Sequence, residues 1–264
     1  MHFMNLAENY CTDNSEFQIL PIEYEGNVSY GKGASKGPNE IIKASEQLEY
    51  YDEQFDCEPF VKGIKTINKI EDIKNKFTVA LGGDHSVTID VIKELEKEND
   101  FSVIILDAHP DMFYSWNGSQ HNHRCVAQKT SEKHETLIVG VRSMDVDEKE
   151  LIEKKENVSI IKSYEYDHET LKKELKKLKK SVYLSIDVDV FDPSFIRNTG
   201  TPEPGGFSWN EVINILKTVF REKNIISADI VEFAPNQNFE SEAYSLAKLA
   251  YKLFSLKQKL KSNS

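Results

Sequence analysis

The chain has 264 residues, with 33 Lys plus Arg against 44 Asp plus Glu, a net charge of −11, and 39% hydrophobic and 29% charged residues. This composition excludes a disordered or fibrous chain. The acidic excess argues against nucleic acid as a partner, since a phosphate-binding surface needs a basic stripe and the arginines here are only Arg124, Arg142, Arg197 and Arg221; it suits a small cationic substrate.

In chain order, apolar runs alternate with amphipathic stretches. A strand is expected at 17–22, followed by a glycine-rich turn from Gly31 to Gly37 and a helix over 38–50 that opens on Pro38. A strand at 77–81 leads to a helix over 86–98, with Ile89, Ile92 and Leu95 at helical spacing. Strands follow at 101–106, 136–141 and 158–161, then a helix over 168–180 striped by Leu171, Leu175 and Leu178. A strand at 182–188 precedes Ser208 and Glu211, whose spacing is a capping box for a helix to about 222. A strand at 225–231 and a long helix at 240–260 close the chain. The strands are continuous aliphatic runs without polar alternation, as in a parallel sheet buried on both faces. Strand–helix alternation therefore implies one α/β domain over 1–264, with a mostly parallel sheet and helices on both sides.

Cys11, Cys57 and Cys125 are odd in number, far apart and without a C-x-x-C pair, so neither a disulfide framework nor a thiolate metal site is expected. A reducing cytoplasm fits them. The N-terminal residues carry no basic-then-apolar leader, and no apolar run approaches the ~20 residues that span a bilayer. No membrane partner is expected. The Gly31–Gly37 segment has the wrong spacing for a dinucleotide loop and reads as a turn into a helix.

Three polar segments stand at the carboxyl ends of expected strands: Gly82-Gly83-Asp84-His85-Ser86, Asp107-Ala108-His109-Pro110-Asp111, and Ser185-Ile186-Asp187-Val188-Asp189, running on to Asp192-Pro193. In open α/β sheets ligands bind at that rim. In extended backbone, residues two apart point the same way, so Asp107, His109 and Asp111 should face one point and Asp187 and Asp189 should repeat the pattern. Pro110 favours extended geometry at His109. With His85 this gives four carboxylates and two imidazoles. Four converging carboxylates need compensating charge, and two divalent cations supply it. Such a pair can also activate a bridging water. The oxygen-rich, imidazole-bearing, thiolate-free set suits Mn²⁺, with Fe²⁺ or Co²⁺ as alternatives. A single strand-end Asp is ordinarily a turn former, and that reading is kept for Asp84 and Asp192. Three such segments after three apolar strands are not explained as three turns.

With these motifs the sequence resembles the ureohydrolases, the arginase and agmatinase family. GGDHS, DAHPD and SIDVDVFDPS look like its three metal-binding motifs in order. Tyr30-Gly31…Gly37-Pro38…Ile41-Ile42-Lys43-Ala44-Ser45, Val139-Gly140-Val141-Arg142-Ser143, Thr199–Gly206 and Ser227-Ala228-Asp229-Ile230-Val231-Glu232 are similar to its other segments. The resemblance implies a three-layer α/β/α fold, two Mn²⁺ ions and hydrolysis of a guanidino compound to urea and an amine. It implies that His85, Asp107, Asp111 and Asp189 hold one ion, that His109, Asp107, Asp111 and Asp187 hold or bridge to the other, and that Glu232 pairs with the substrate guanidinium. Hydroxide formed from the bridging water attacks the guanidinium carbon, with Asp111 relaying its proton. A proton-carrying histidine is implied in the loop after DAHPD. His123, two residues before Cys125-Val126, fits that place better than His121, which reads as a loop residue.

Met112–Ser119 lacks the longer Ser/Asn-rich loop of arginine-specific members, and TGTPEPGG looks agmatinase-like. Agmatine, cleaved to putrescine and urea, is therefore the expected substrate, with Tyr114 or Trp116 contacting its amine tail through cation–π attraction or, alternatively, serving as packing residues. Guanidinobutyrate, arginine or an aminopropylated agmatine are alternative substrates, and a catalytically inactive metal-binding relative is the alternative outside catalysis. A zinc deacetylase shares the fold but would need a single-metal ligand set. The resemblance further implies a homo-oligomer, a trimer or hexamer.

Overall fold

The structure is a computed structural model describing residues 2–26, 31–73, 76–236 and 240–260. Tyr30 of the resemblance lies outside the described residues. The strands are β1 (Phe17–Ile22), β2 (Ile64–Thr66), β3 (Phe77–Gly82), β4 (Ser102–Leu106), β5 (Thr136–Val141), β6 (Val158–Lys162), β7 (Ser181–Asp187) and β8 (Asn224–Val231). The helices are α1 (Gly37–Ser45), α2 (Val87–Leu95), α3 (Val126–Thr130), α4 (Val146–Glu153), α5 (His168–Leu175), α6 (Trp209–Glu222) and α7 (Glu240–Lys259). The eight strands form one sheet in the order β2-β1-β3-β8-β7-β4-β5-β6, and every pairing is parallel.

Alternation along each strand divides the core into two layers. Val79, Leu81, Ile104, Leu106, Leu184 and Ile186 pack on one face with residues of α1, α5, α6 and α7. Ala80, Val103, Ile105 and Tyr183 pack on the other with residues of α2 and α3 and with Ile152 of α4. Both faces are therefore covered, which is why the strands read as unbroken apolar runs. The expected three-layer arrangement is present. The Ser208–Glu211 capping box opens α6 as expected, and Gly31–Gly37 turns into α1, with Gly31 and Gly33 at positive φ.

Three elements were not expected from the sequence. β2 is a three-residue edge strand, too short to show a period. α3 and α4 span five and eight residues, and α4 has few apolar positions, although Asp145 and Glu148 form a capping box at its start. The expected helices at 38–50, 86–98 and 168–180 are shorter than expected, ending at Ser45, Leu95 and Leu175. No helix among the described residues is long and apolar enough to cross a membrane.

The sheet order matters for chemistry. β3, β8, β7 and β4 are consecutive neighbours at its centre. Leu106 pairs with Ile186, Asp187 with Val231, and Leu81 with Ile230. The residues leaving these four strands are therefore level with one another at one rim.

Candidate metal centre

Each central strand delivers one part of the site. After β3 the chain turns through Gly83, whose N–H donates to Ile22 O at 2.9 Å and whose carbonyl accepts the Glu232 N–H at 2.8 Å. A Cβ at Gly83 would lie 1.9 Å from the Tyr24 carbonyl oxygen, so only glycine allows this approach. The turn drops His85 into the interior, fully buried. Its Nδ1 lies 3.0 Å from Asp111 Oδ2, 3.2 Å from Asp107 Oδ2 and 3.3 Å from Asp187 Oδ2.

The extended alternation expected for the aspartates is not what places them. β4 ends at Leu106 and β7 at Asp187. Asp111 sits in left-handed backbone at φ 49°, which turns its side chain back toward His85. Asp189 lies in a single 3₁₀ turn, Val188–Val190, capped by Asp187 Oδ1 accepting the Asp189 N–H at 2.9 Å. Backbone donors orient the remaining carboxylates too. Asp107 Oδ1 accepts from His109 N at 2.6 Å and Asp189 Oδ1 accepts from Ala108 N at 2.9 Å. In Asp107, Asp187 and Asp189 one oxygen is thus anchored and the other is presented to the cavity.

Two ligand clusters result, His85–Asp107–Asp111 and Asp107–His109–Asp189, each with its candidate atoms within 4.8 Å of one another. Asp107 belongs to both. His109 Nδ1 stands 2.9 Å from Asp189 Oδ2. Asp187 lies by His85 and Asp189 by His109, the reverse of the division implied by the family resemblance. The 3₁₀ turn, which carries Asp189 across to His109, is the reason.

A hydrogen-bond chain behind His85 fixes its tautomer. Its Nε2 lies 2.9 Å from Ser185 Oγ. Ser185 Oγ donates to Asp229 Oδ1 at 2.6 Å, and Asp229 Oδ2 also accepts from Thr88 Oγ1 and Tyr183 OH. The Ser185 proton is committed to Asp229, so His85 Nε2 is the donor and Nδ1 presents a lone pair to the carboxylates. Asp229 is fully buried.

That lone pair provides the test of whether the residues fit metal ions. His85 Nδ1 and Asp107 Oδ2 are buried and neither has a hydrogen-bond partner, a costly arrangement unless a cation sits between them. Electrostatics agree. Burial, then Asp189 and Asp107, push the Asp187 carboxyl well above its usual range. Burial and Asp107 push Asp111 up to about 7. Burial opposes charge on His109, but Asp189 and Asp107 override it and push the imidazole up to about 12. The cluster demands positive charge, and two divalent cations fit it.

Glu232 leaves β8 in left-handed backbone at φ 67°, strain of the kind held at functional sites. Its Oε1 accepts the His85 N–H at 2.7 Å, and the residue lines a cavity of about 260 Å³ with His109, Asp111, His123, Asp187 and Asp189. Burial raises its carboxyl to about 8. Both histidine candidates are resolved in place. His123 lines the cavity, and burial lowers its imidazole to about 4, keeping it neutral. His121 lies elsewhere, with Nε2 2.9 Å from Asp90 Oδ2 and its ring edge-on to Tyr24.

Tyr114 and Trp116 are not brought to the cavity wall. Tyr114 is 63% exposed. The Trp116 ring is covered by the Arg124 guanidinium, 4.0 Å from its centroid. Asp84 and Asp192 make turns as expected. Asp84 Oδ1 accepts from Ser86 N, and Asp192 accepts from Ser194, Gly205 and Gly206 N–H groups.

Sequence reasoning missed Ser185, Asp229 and Arg142. The signal for the first two was a polar residue inside an otherwise apolar strand run. Arg142 donates to the carbonyls of Gly140, Asp189, Phe191, Glu203 and Pro204. It thereby ties together the loops after β5 and β7 and the 199–206 loop that brings Glu203 to the cavity.

The chain is similar to known proteins along most of its length. A model of the Arginase family matches residues 15–255. The chain is 34% identical to N(1)-aminopropylagmatine ureohydrolase of Synechocystis sp., over 89% of this chain and 87% of the relative. It is 31% identical to agmatinase of Pyrococcus horikoshii, over 90% of each. The crystal structure of agmatine ureohydrolase of Thermoplasma volcanium shares the fold, with a TM-score of 0.83 and 24% identity over 93% of this chain and 91% of that one.

Proposed function

Because the chain belongs to the arginase family and is a hydrolase of the ureohydrolase type, we propose that it holds two Mn²⁺ ions and cleaves a guanidine carrying an aliphatic amine tail, agmatine or its N1-aminopropyl derivative, to urea and the free amine. The observation that carries this is the pair of clusters sharing Asp107, with His85 Nδ1 and Asp107 Oδ2 buried and without hydrogen-bond partners. His85, Asp107, Asp111 and Asp187 would hold one ion, and His109, Asp107 and Asp189 the other. Bound there, the ions supply the Lewis acidity that makes water nucleophilic at neutral pH.

The protein's own residues do the rest. Glu232 Oε1 is tied to the His85 N–H, which aims the group at a planar guanidinium; the arriving cation offsets the burial that holds the carboxyl near 8 and draws it into its ionised form, and the charge-assisted contact orients the substrate carbon. Asp111 stands where it can accept the proton lost by the attacking water. His123, neutral on the cavity wall, takes up the proton released by the water and passes it to the leaving amine. The amine tail is favoured by the relatives, which include both an N(1)-aminopropylagmatine ureohydrolase and an agmatinase. The ordinary compartment for this reading is the cytoplasm, and the protein works as a homo-oligomer.

The test is urea release by Mn²⁺-loaded protein across agmatine, N1-aminopropylagmatine, arginine and 4-guanidinobutyrate. The reading expects the highest kcat/KM on one of the two amine-tailed guanidines. A preference for arginine or guanidinobutyrate overturns the substrate assignment, and urea from none of them overturns the activity.

A further inference from the structure

The loop that follows the DAHPD motif carries its own cation. Phe113 N–H donates to the Arg124 carbonyl at 3.0 Å, closing the loop at its base. At its tip Trp116 and Ser119 exchange backbone hydrogen bonds of 2.8 and 2.9 Å around Asn117 and Gly118, whose φ values of 48° and 79° make a tight primed turn. The Arg124 guanidinium lies between these supports, 4.3 Å from the Phe113 ring centroid and 4.0 Å from that of Trp116. Its Nη2 stands 3.1 Å from Asp145 Oδ2. Asp145 is held in turn, because it forms the α4 capping box with Glu148. Glu148 Oε1 accepts the Met112 N–H at 3.0 Å, one residue beyond Asp111.

Two aromatic faces and a carboxylate are the chemistry that receives an organic cation. Here a side chain of the protein occupies that receptor; Arg124 and Asp145 line the cavity that holds His109, Asp111 and Glu232, and the two rings do not. The occupancy changes what the wall offers a substrate. Asp145 is neutralised by Arg124. Both carboxylate oxygens of Glu148 accept backbone N–H groups, of Met112 and Asp145. Asp111, Asp187 and Asp189 face the ions and Glu232 faces the guanidinium. Glu203 is the remaining acid on the wall.

Resting on the ureohydrolase reading above, we propose that Arg124 is a specificity-determining residue: its guanidinium, held against Phe113 and Trp116, neutralises Asp145 in the cavity wall and so limits how strongly the site favours substrates with a cationic tail. Removing that charge frees Asp145 for an ammonium group. Keeping it leaves the wall closer to neutral and tolerant of uncharged tails.

The experiment compares three guanidines of equal chain length that differ only at the tail: butylguanidine (uncharged), agmatine (ammonium) and 4-guanidinobutyrate (carboxylate). Selectivity is read as kcat/KM relative to butylguanidine, because changes at the ions or at His123 act on all three alike and cancel in the ratio. In Arg124→Gln the agmatine ratio is expected to rise about tenfold, a shift of ~1.4 kcal/mol, and the guanidinobutyrate ratio to fall. Arg124→Lys keeps the charge and is expected to stay near the wild-type ratios, and it also serves if the Gln variant does not fold. Asp145→Asn leaves Arg124 unneutralised and is expected to lower the agmatine ratio. Wild-type urea production with both ratios unmoved in Arg124→Gln, or a Lys variant that shifts them as Gln does, overturns the proposal alone. Urea from none of the three guanidines overturns the ureohydrolase reading and this inference with it.

Discussion

His85 Nδ1 and Asp107 Oδ2 face each other at 3.2 Å in the protein interior, and neither atom has a hydrogen bond. Ser185 and Asp229 commit His85 Nε2 to donating, so positive charge is called for between Nδ1 and the carboxylates; although burial opposes it, Asp107, Asp111 and Asp187 hold the imidazole well above its ordinary value. An arrangement that would cost several kcal/mol in a dry interior becomes favourable once a divalent cation sits between them.

The sharing of Asp107 between the two clusters makes ion stoichiometry diagnostic. Asp107→Asn should reduce bound Mn²⁺ from about two per chain toward zero, whereas His109→Asn should leave about one, held by His85, Asp111 and Asp187. Elemental analysis after gel filtration measures both. Equal ion loss in the two variants would contradict the shared-ligand geometry.

In the proposed reaction Glu232 orients substrate without ligating the ions, so its replacement should separate binding from metal content. Glu232→Gln keeps the shape and removes the charge. It should lower kcat/KM for guanidines by about 10²-fold or more, in line with loss of a buried charge-assisted contact, while Mn²⁺ content stays at the wild-type value. Concurrent loss of an ion would make Glu232 part of the metal shell.

Asp229 accepts from Ser185, Thr88 and Tyr183. Asn at this position faces donors with a donor and breaks the chain that holds the His85 tautomer. Ion affinity at the His85 cluster should fall by roughly 10–100-fold, measured by calorimetric titration of chelator-treated protein. Unchanged affinity would mean that His85 is oriented by packing alone.

The two loop histidines should behave oppositely. His123→Asn should cost about 10²-fold or more in kcat, the scale of a lost proton carrier, whereas His121→Asn should leave kcat within about twofold. His121 contributes to stability instead. Its hydrogen bond to Asp90 raises the imidazole above its usual value. The folded state therefore binds this proton more tightly than the unfolded chain. The contribution is fully present below the unfolded pKa of about 6.5 and is lost as pH rises through the higher folded value. The pair is about one-third exposed or more on both sides, so the effect is small and screened by salt. Thermal unfolding of Asp90→Asn should match wild type at high pH and fall slightly below it at pH 6.

Gly83→Ala should destabilise the fold severely, by about 3 kcal/mol or more, since its Cβ would lie 1.9 Å from the Tyr24 carbonyl oxygen. Denaturant unfolding measures this. A loss under 1 kcal/mol would show that the 22–26 segment yields easily.

Most of the fold and of the candidate ligand clusters was legible because both rest on local patterns. Buried parallel strands must be apolar throughout, so seven of the eight strands stand out in sequence, and the ligands follow them in short dense motifs. The three-residue β2 and the α4 helix did not stand out, because β2 is too short for a period and α4 is held by its Asp145–Glu148 cap and by packing of Ile152 more than by an apolar stripe. The placement of Asp111 and Asp189 was misread for a different reason. Spacing of two assumes extended backbone, but Asp111 adopts a positive φ and Asp189 lies in a 3₁₀ turn, and neither conformation leaves a mark on the residue pattern.

The residue order alone determined that strands and helices alternate, that carboxylates and imidazoles stand where strands end, and that no thiolate set competes with them; these follow from nearest neighbours along the chain. Only the folded arrangement decided that β3, β8, β7 and β4 lie side by side, that Asp107 serves both clusters, that Asp229 aims His85 from behind, and that the cation over the Trp116 ring is the protein's own Arg124. Each of those is a meeting of residues far apart in the chain, set by strand order and backbone turns, and such meetings are written in distances rather than in spacing.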